Sequence, residues 1–475
     1  AFLSSPQLDQ WRVRLRKIRR FKPHTLSENE ERLLALAHSS MDGHSETFSQ
    51  LTNVDMVFGT IIDENGVEVE LSHATFSSFL QRRDQKLRER AFRQFYAEFE
   101  SHKFTVASTL ASSVKTDVFR ANARNFPRAI EAALFSDDVP VAVYDNLITA
   151  VRQSLDPLFE YFELRKRVLK LEEIHHYDTY VPMVDAISTS IGFDDATQMV
   201  LESLAPLGAE YVNTLRAGFA SRWVDRYETR GKRSGAFSSS SYGNPPYILM
   251  NYKPDVFADV YTLAHEAGHS MHSHYSMGAQ TFQDYHYPIF LAEVASTFNE
   301  ELLTHHLLEK TDDLKMRAFI INRQIDDIRG TVYRQTMFAE FEKIVHAMEE
   351  SGEPVTLETM QAEYRKLLEA YFGPNFVVDP ELSLECLRIP HFYSAFYVYK
   401  YATGISAAVA LSEAVLADAS GAARERYLGF LKSGGSRFPI ETLRVAGVDM
   451  LSPEPVKRTL EVFARRVQEL SDLLS

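Results

Sequence analysis

With 475 residues, 45% of them apolar and 24% charged, the chain can bury a large core and is too long for one simple domain. Its formal net charge of −14 argues against a nucleic-acid-binding surface, which needs a basic face. The single cysteine, Cys386, excludes an intramolecular disulfide and fits a reducing, cytoplasmic setting, and no apolar run of about 18 residues is present to cross a membrane.

Apolar residues recur at i, i+3 and i+4 through most of the sequence, which predicts a mainly α fold. The predicted helices cover 27–38, 74–123, 139–170, 194–229, 255–275, 289–309, 312–349, 356–372, 394–418, 420–432 and 453–473. Two β islands interrupt them. Val57 to Leu71 reads as a hairpin around Glu64-Asn65-Gly66, and Lys232 to Asn251 as strands joined by a Ser-rich link ending in Gly243-Asn244-Pro245-Pro246. No period indicates a repeat architecture. The expected organisation is a mostly helical part over 1–170 and a catalytic part over 171–475.

The 255–275 helix carries His265-Glu266-Ala267-Gly268-His269. Two imidazoles at i and i+4 lie about 40° apart around a helix and one turn along it, so both can hold one metal ion. Glu266 cannot be a third ligand from that face. It sits beside the metal's open position, where a general base for the attacking water belongs. With 16 His and 65 acidic residues, such a pentapeptide arises by chance roughly 0.07 times in a chain of this length, so its context matters. Val256, Val260, Leu263, Ala267 and Met271 give the helix a buried stripe that leaves both histidines off it.

A catalytic zinc needs a third protein ligand, and Glu293, on the next predicted helix, is the candidate. His272 shares the face of His265 but stands about 10.5 Å along the axis, too far for the same ion. Glu300, two turns beyond Glu293, is either an acceptor for a ligand imidazole or a solvated carboxylate. Ser296 and Asp259 have similarly open roles, while His274, His286, His305 and His306 read as ordinary surface or core histidines.

Two further features bear on peptide chemistry. The second β island immediately precedes the motif helix, so an edge strand at Gly235 and Ala236 can pair with an extended peptide; a strand edge covered by protein is the alternative. Tyr393, Tyr397 and Tyr401 recur at i, i+4 and i+8, which predicts one helical face rich in donors, with His391 just before it. Such donors either stabilise a developing oxyanion or are plain core. Cys386, in Leu384-Glu385-Cys386-Leu387, has no basic residue next to it in sequence and is a poor nucleophile.

Thr262 to His272, followed by Glu293-Val294-Ala295-Ser296-Thr297, resembles the oligoendopeptidase F branch of the thimet oligopeptidase family of zinc metallopeptidases. Lys232 to Phe237 with Pro246 to Tyr252, Arg388 to Gly404, and Phe430 to Ser436 extend the resemblance over most of the chain. It implies a two-lobed helical zinc peptidase with a deep substrate channel and a small sheet beside the motif helix. One Zn²⁺ per chain is then held by His265, His269 and Glu293, with Glu266 as base and with His391 and Tyr397, or Tyr393 one turn away, at the substrate carbonyl. It also implies that a further N-terminal segment of the family pattern precedes Ala1.

The expected activity is cleavage of internal bonds in short unstructured peptides. No nucleic acid or membrane partner is expected, and a monomer is favoured over an oligomer. The alternatives are a dipeptidyl carboxypeptidase, which would need Arg388 or Lys400 to fix a free C-terminal carboxylate, and a peptide-binding protein without turnover.

Overall fold

Gln85–Ala123 forms a single helix of 39 residues, about 58 Å long at 1.5 Å per residue. Asp84 starts it by accepting the Lys86 amide, one of the donors that a helix N-terminus leaves open. Leu87, Ala91, Phe92, Phe95, Tyr96 and Phe99 bury one stripe, and Phe95 stacks on both Phe58 and Phe76 with ring centroids 4.5 and 4.0 Å away. The computed structural model describes residues 6–185 and 190–475, and most of them are helical.

Three helices make the centre of the molecule. The motif helix, Ala258–Ala279, packs on the partner helix, Ile289–Lys310, and this packs in turn on the tyrosine helix, Tyr399–Ala417. The middle member is covered on two sides, so Phe290, Leu291, Val294, Ala295, Phe298, Leu302 and Leu303 are all buried around much of its circumference. Glu454–Leu473 closes the far side against the tyrosine helix and Leu314–Ile328. Leu314–Ile328 continues through a wide π turn at Arg329–Tyr333 into Arg334–Ser351, forming one long rod.

The hairpin forms as expected, Thr60–Ile62 pairing antiparallel with Glu68–Glu70 around Gly66 at φ 77°. The second island is a three-stranded sheet in which Tyr247–Leu249 is central. Phe237–Ser239 runs antiparallel to it as one edge, and the short strand Val224–Asp225 lies parallel on the other side. Among the described residues no helix is long and apolar enough to cross a membrane.

Several long predicted helices are divided. The 74–123 stretch resolves into His73–Phe79 and Gln85–Ala123, and 139–170 into Val141–Arg152 and Asp156–Val168, the latter with Pro157 in its first turn. The 194–229 stretch ends one helix at Ser203 and starts another at Ala209, because Gly208 takes φ 90° between them. The 394–418 helix begins only at Tyr399. Phe396 adopts φ 55°, which no right-handed helix accommodates.

Candidate metal centre

His265 and His269 project from the motif helix one turn apart, with their Nε2 atoms 3.2 Å from each other. Glu293, on the second turn of the partner helix, places Oε2 3.4 Å from His265 Nε2 and 3.8 Å from His269 Nε2. A tetrahedral ion with bonds of about 2.0–2.1 Å spaces its ligand atoms by roughly 3.3–3.4 Å. The three atoms therefore fit one face of such a coordination sphere, and two imidazoles with a carboxylate are a donor set that zinc takes. The cavity beside them is lined by His265, Glu293, Thr297, Glu300, Tyr401 and Ile405, among others.

Gly268 makes this convergence possible. A Cβ there would stand 2.5 Å from the Ala295 carbonyl oxygen and 2.6 Å from Ser296 Cα, so the motif and partner helices cross in backbone contact. That crossing sets Glu293 opposite the two histidines. On its other flank, Gly404 of the tyrosine helix leaves only 3.5 Å between an added Cβ and Glu293 Cβ.

A relay backs the first histidine. His265 Nδ1 lies 2.6 Å from Glu300 Oε1, and the other Glu300 oxygen accepts from Arg323 at 2.9 Å. Arg323 also pairs with Asp327 at 2.8 Å and lies over the Tyr261 ring at 3.5 Å. Glu300 is thus a partner of the His265 imidazole and not a solvated carboxylate. Burial disfavours charge on His265, but its bonds to Glu293 and Glu300 outweigh that and push its pKa up to about 10. His269 goes the other way, to about 4, because of burial and the adjacent His265 charge. Burial pushes the Glu293 and Glu300 carboxyls up, but their bonds to His265 and the charges around them outweigh it and leave both below their ordinary range.

Glu266 is 7% exposed, and burial raises its pKa above the usual carboxylate range. The backbone of Ser238, on the edge strand, opposes the rise. Ser238 Oγ also lies 2.8 Å from Ser270 Oγ, tying the strand to the motif helix one turn past the base. Gly235 and Ala236 are not part of the edge strand as expected: the strand starts only at Phe237, and the two residues before it line a groove shared with Asp259 and Thr262. Gly235 takes φ 84°, and its carbonyl accepts from Asn251 Nδ2 at 2.8 Å, so it is already paired within the chain.

The expected tyrosine face is broken. Tyr393 closes a short 3₁₀ turn, Pro390–Tyr393, where its hydroxyl meets Thr109 Oγ1 at 2.7 Å and its ring stacks on Phe48 at 4.3 Å. His391, Tyr397 and Tyr401 cluster together instead. Tyr401 Oη stands 3.4 Å from His391 Nε2, and the Tyr397 ring is 6.2 Å from His391 and 5.5 Å from Tyr401. Tyr401 reaches the cavity beside His265 and Glu293; burial and the neighbouring Tyr397 push its pKa up to about 12, with the Glu293 charge adding to the rise.

The remaining candidates have structural partners. His272 is fully buried and stacked on Tyr287 at 3.6 Å. Ser296 Oγ donates to the Glu293 carbonyl at 3.0 Å, and Asp259 accepts the Lys253 amide at 2.7 Å. His274 lies against Trp223, His286 against Tyr285, and His305 and His306 face Glu309 and Glu202. Cys386 is buried, which pushes its thiol pKa up. Arg388 pairs with Glu385 at 3.0 Å and Lys400 with Asp137 at 3.1 Å, so both cations weighed for a substrate carboxylate are engaged within the chain.

Tyr401, Arg323 and Asp327 escaped the sequence reading as site residues. Tyr401 had a signal in its spacing from Tyr397; Arg323 and Asp327 had none beyond an i, i+4 pair on a helix face.

Comparison with known proteins agrees with this geometry. The family model Peptidase family M3 matches residues 78–462, and the model Oligopeptidase F matches residues 1–58. Oligopeptidase PepF of Bacillus subtilis is 44% identical over 472 residues, which is 99% of this chain and 70% of that protein. An oligoendopeptidase F homolog of Borreliella burgdorferi is also 44% identical, over 100% of this chain and 79% of its own length. The crystal structure of oligoendopeptidase-F from Enterococcus faecium superposes with a TM-score of 0.83 at 37% identity, covering 99% of this chain and 79% of that one. Sequence, fold and the His-His-Glu triangle thus lead to one conclusion: the chain belongs to peptidase family M3, in its oligoendopeptidase F branch.

Proposed function

We propose that the chain is a zinc-dependent oligoendopeptidase that hydrolyses internal bonds of short unstructured peptides. The observation that carries this reading is the triangle of His265 Nε2, His269 Nε2 and Glu293 Oε2, with edges of 3.2–3.8 Å, beside the buried carboxyl of Glu266. Zinc held there supplies a positive centre that polarises the scissile carbonyl and acidifies the attacking water. Glu266 takes the proton from that water and returns it to the leaving nitrogen. Its raised pKa suits both halves of the task, because a base that must later act as an acid works best near the ambient pH.

His391 and Tyr397, beside Tyr401, donate to the carbonyl oxygen as charge builds on it. The outer edge of Phe237–Ser239 pairs with the extended backbone of the substrate, which selects unfolded segments without reading side chains. With Gly235 already bonded to Asn251, this pairing falls to the residues after it. The engagement of Arg388 and Lys400 by carboxylates favours internal cleavage over removal of C-terminal dipeptides. We place the enzyme in the cytoplasm as a monomer acting on short peptides, with neither nucleic acid nor membrane as a partner.

Cleavage of an internally quenched peptide, blocked by chelator and restored by zinc, tests this reading. C-terminally amidated peptides are expected to be cut as well as free acids, and folded proteins to survive. Steady release of C-terminal dipeptides, with amidated peptides resistant, would establish the carboxypeptidase instead.

A further inference from the structure

Between His391 and Tyr397 the backbone does something costly. Phe396 carries φ 55°, a left-handed conformation that a bulky L-residue adopts only when its surroundings impose it. The Phe396 amide donates to Glu342 Oε1 at 3.0 Å, and Glu342, in the middle of Arg334–Ser351, is 1% exposed. The same helix grips the segment on both flanks. Phe338 and Phe341 pack on Phe392, beside His391, at centroid distances of 5.5 and 5.1 Å, and His346 packs on Phe396, beside Tyr397, at 4.6 Å.

An acid at this place is expensive. No arginine or lysine pairs with Glu342 among the described residues, and its second oxygen, Oε2, is buried without a hydrogen-bond partner there. Burial pushes its pKa well above the usual carboxylate range, against the pull of the Phe396 bond. An apolar side chain would fill the space at lower cost. The contact that such a side chain could not replace is the one to Phe396.

We propose that Glu342 is a positioning residue for turnover: its carboxyl pins Phe396 in the left-handed conformation and so sets Tyr397 and His391 against the substrate carbonyl. This rests on the role given above to those two side chains. Glu342 itself touches no substrate.

Two variants separate positioning from packing. Glu342→Gln keeps an acceptor oxygen at the same reach and is expected to leave kcat within about twofold of the parent. Glu342→Asp withdraws the carboxyl by one methylene and is expected to lower kcat about tenfold, with KM within twofold and zinc content unchanged. In a Tyr397→Phe, His391→Gln background, Glu342→Asp should cost nothing further, because what it positions is gone. An equal loss in both backgrounds, a Gln variant as poor as the Asp variant, or an unchanged kcat in Glu342→Asp would each overturn the proposal. Tyr397→Phe and His391→Gln measured alone keep the two readings apart. If both are silent, the role of those side chains is refuted and the proposal falls with it; if either lowers kcat while Glu342→Asp does not, only the proposal falls.

Discussion

Glu300 holds His265 from behind: its Oε1 is 2.6 Å from the imidazole Nδ1, while its Oε2 is held by Arg323. This fixes which nitrogen of His265 points at the metal position. Glu300→Gln should therefore weaken zinc affinity by about 10- to 100-fold, the usual scale for removing such a partner, with the three ligands untouched. Competition with a calibrated chelator measures it. An affinity equal to the parent's would mean that Arg323 and packing orient the ring without the carboxylate.

Glu266→Gln should behave in the opposite way. Turnover is expected to be nearly abolished while one zinc per chain is retained, whereas His265→Ala, His269→Ala and Glu293→Ala lose the metal. Metal analysis beside peptide cleavage checks this. Zinc loss in Glu266→Gln comparable with the ligand variants would exchange the roles of base and ligand.

Gly268→Ala adds a single methyl group where 2.5 Å is available to the Ala295 oxygen. The helices must part, at a cost of about 1–3 kcal/mol or more, and Glu293 moves with the partner helix. Both the urea midpoint and zinc affinity should fall although no ligand has been changed. A variant with parental zinc affinity would show that the crossing tolerates separation without disturbing the triangle.

The tyrosines should divide. Tyr397→Phe is expected to lower kcat roughly 10²-fold with little change in KM, as removal of a transition-state donor does. Tyr393→Phe should leave kcat within a few-fold, because its hydroxyl is committed to Thr109, and should instead cost about 1 kcal/mol of stability. Reversed kinetic effects would move the oxyanion donor one turn back along the chain.

His272 gives a pH signature. Burial, with a smaller push from His269, lowers its pKa from 6.5 to about 3, so the folded protein keeps it neutral where the unfolded chain protonates it. Its contribution is complete above about pH 6.5 and is lost as pH falls toward 3, with a slope of up to about 1.4 kcal/mol per pH unit. His272→Phe keeps an aromatic ring for Tyr287 and should flatten the acid limb. Urea midpoints between pH 7 and 4, taken in chelator so that metal release does not contribute, test it; parallel limbs for both proteins would refute the shift.

What could be read from the sequence was what repeats or stands close together. The i, i+4 histidines and the carboxylate on the following helix are local patterns, and each lies on the expected element; the stripe is buried from Val260 to Met271, but Val256 precedes the helix, which starts at Ala258, and is exposed. The pairing of Glu342 with Phe396 joins residues 54 positions apart and leaves no periodic trace. Tyr393, Tyr397 and Tyr401 have helical spacing but no glycine or proline between them to announce the left-handed residue that divides them. Glu300 was recognisable as a candidate; Arg323, which completes its environment, lies on a separate helix whose angle to the first only packing decides.

The wide turn at Arg329–Tyr333 has a consequence for evolution by length. It lies between Arg323, which faces Glu300, and Glu342, which faces Phe396, on one continuous rod. Deleting one residue from it would advance everything beyond by about 100° relative to what comes before. Glu342 would then swing away from the tyrosine segment while Arg323 kept its grip behind His265. The turn sets the phase between the two halves of the site, so insertions and deletions there should be purged for loss of turnover even where metal retention and folding survive.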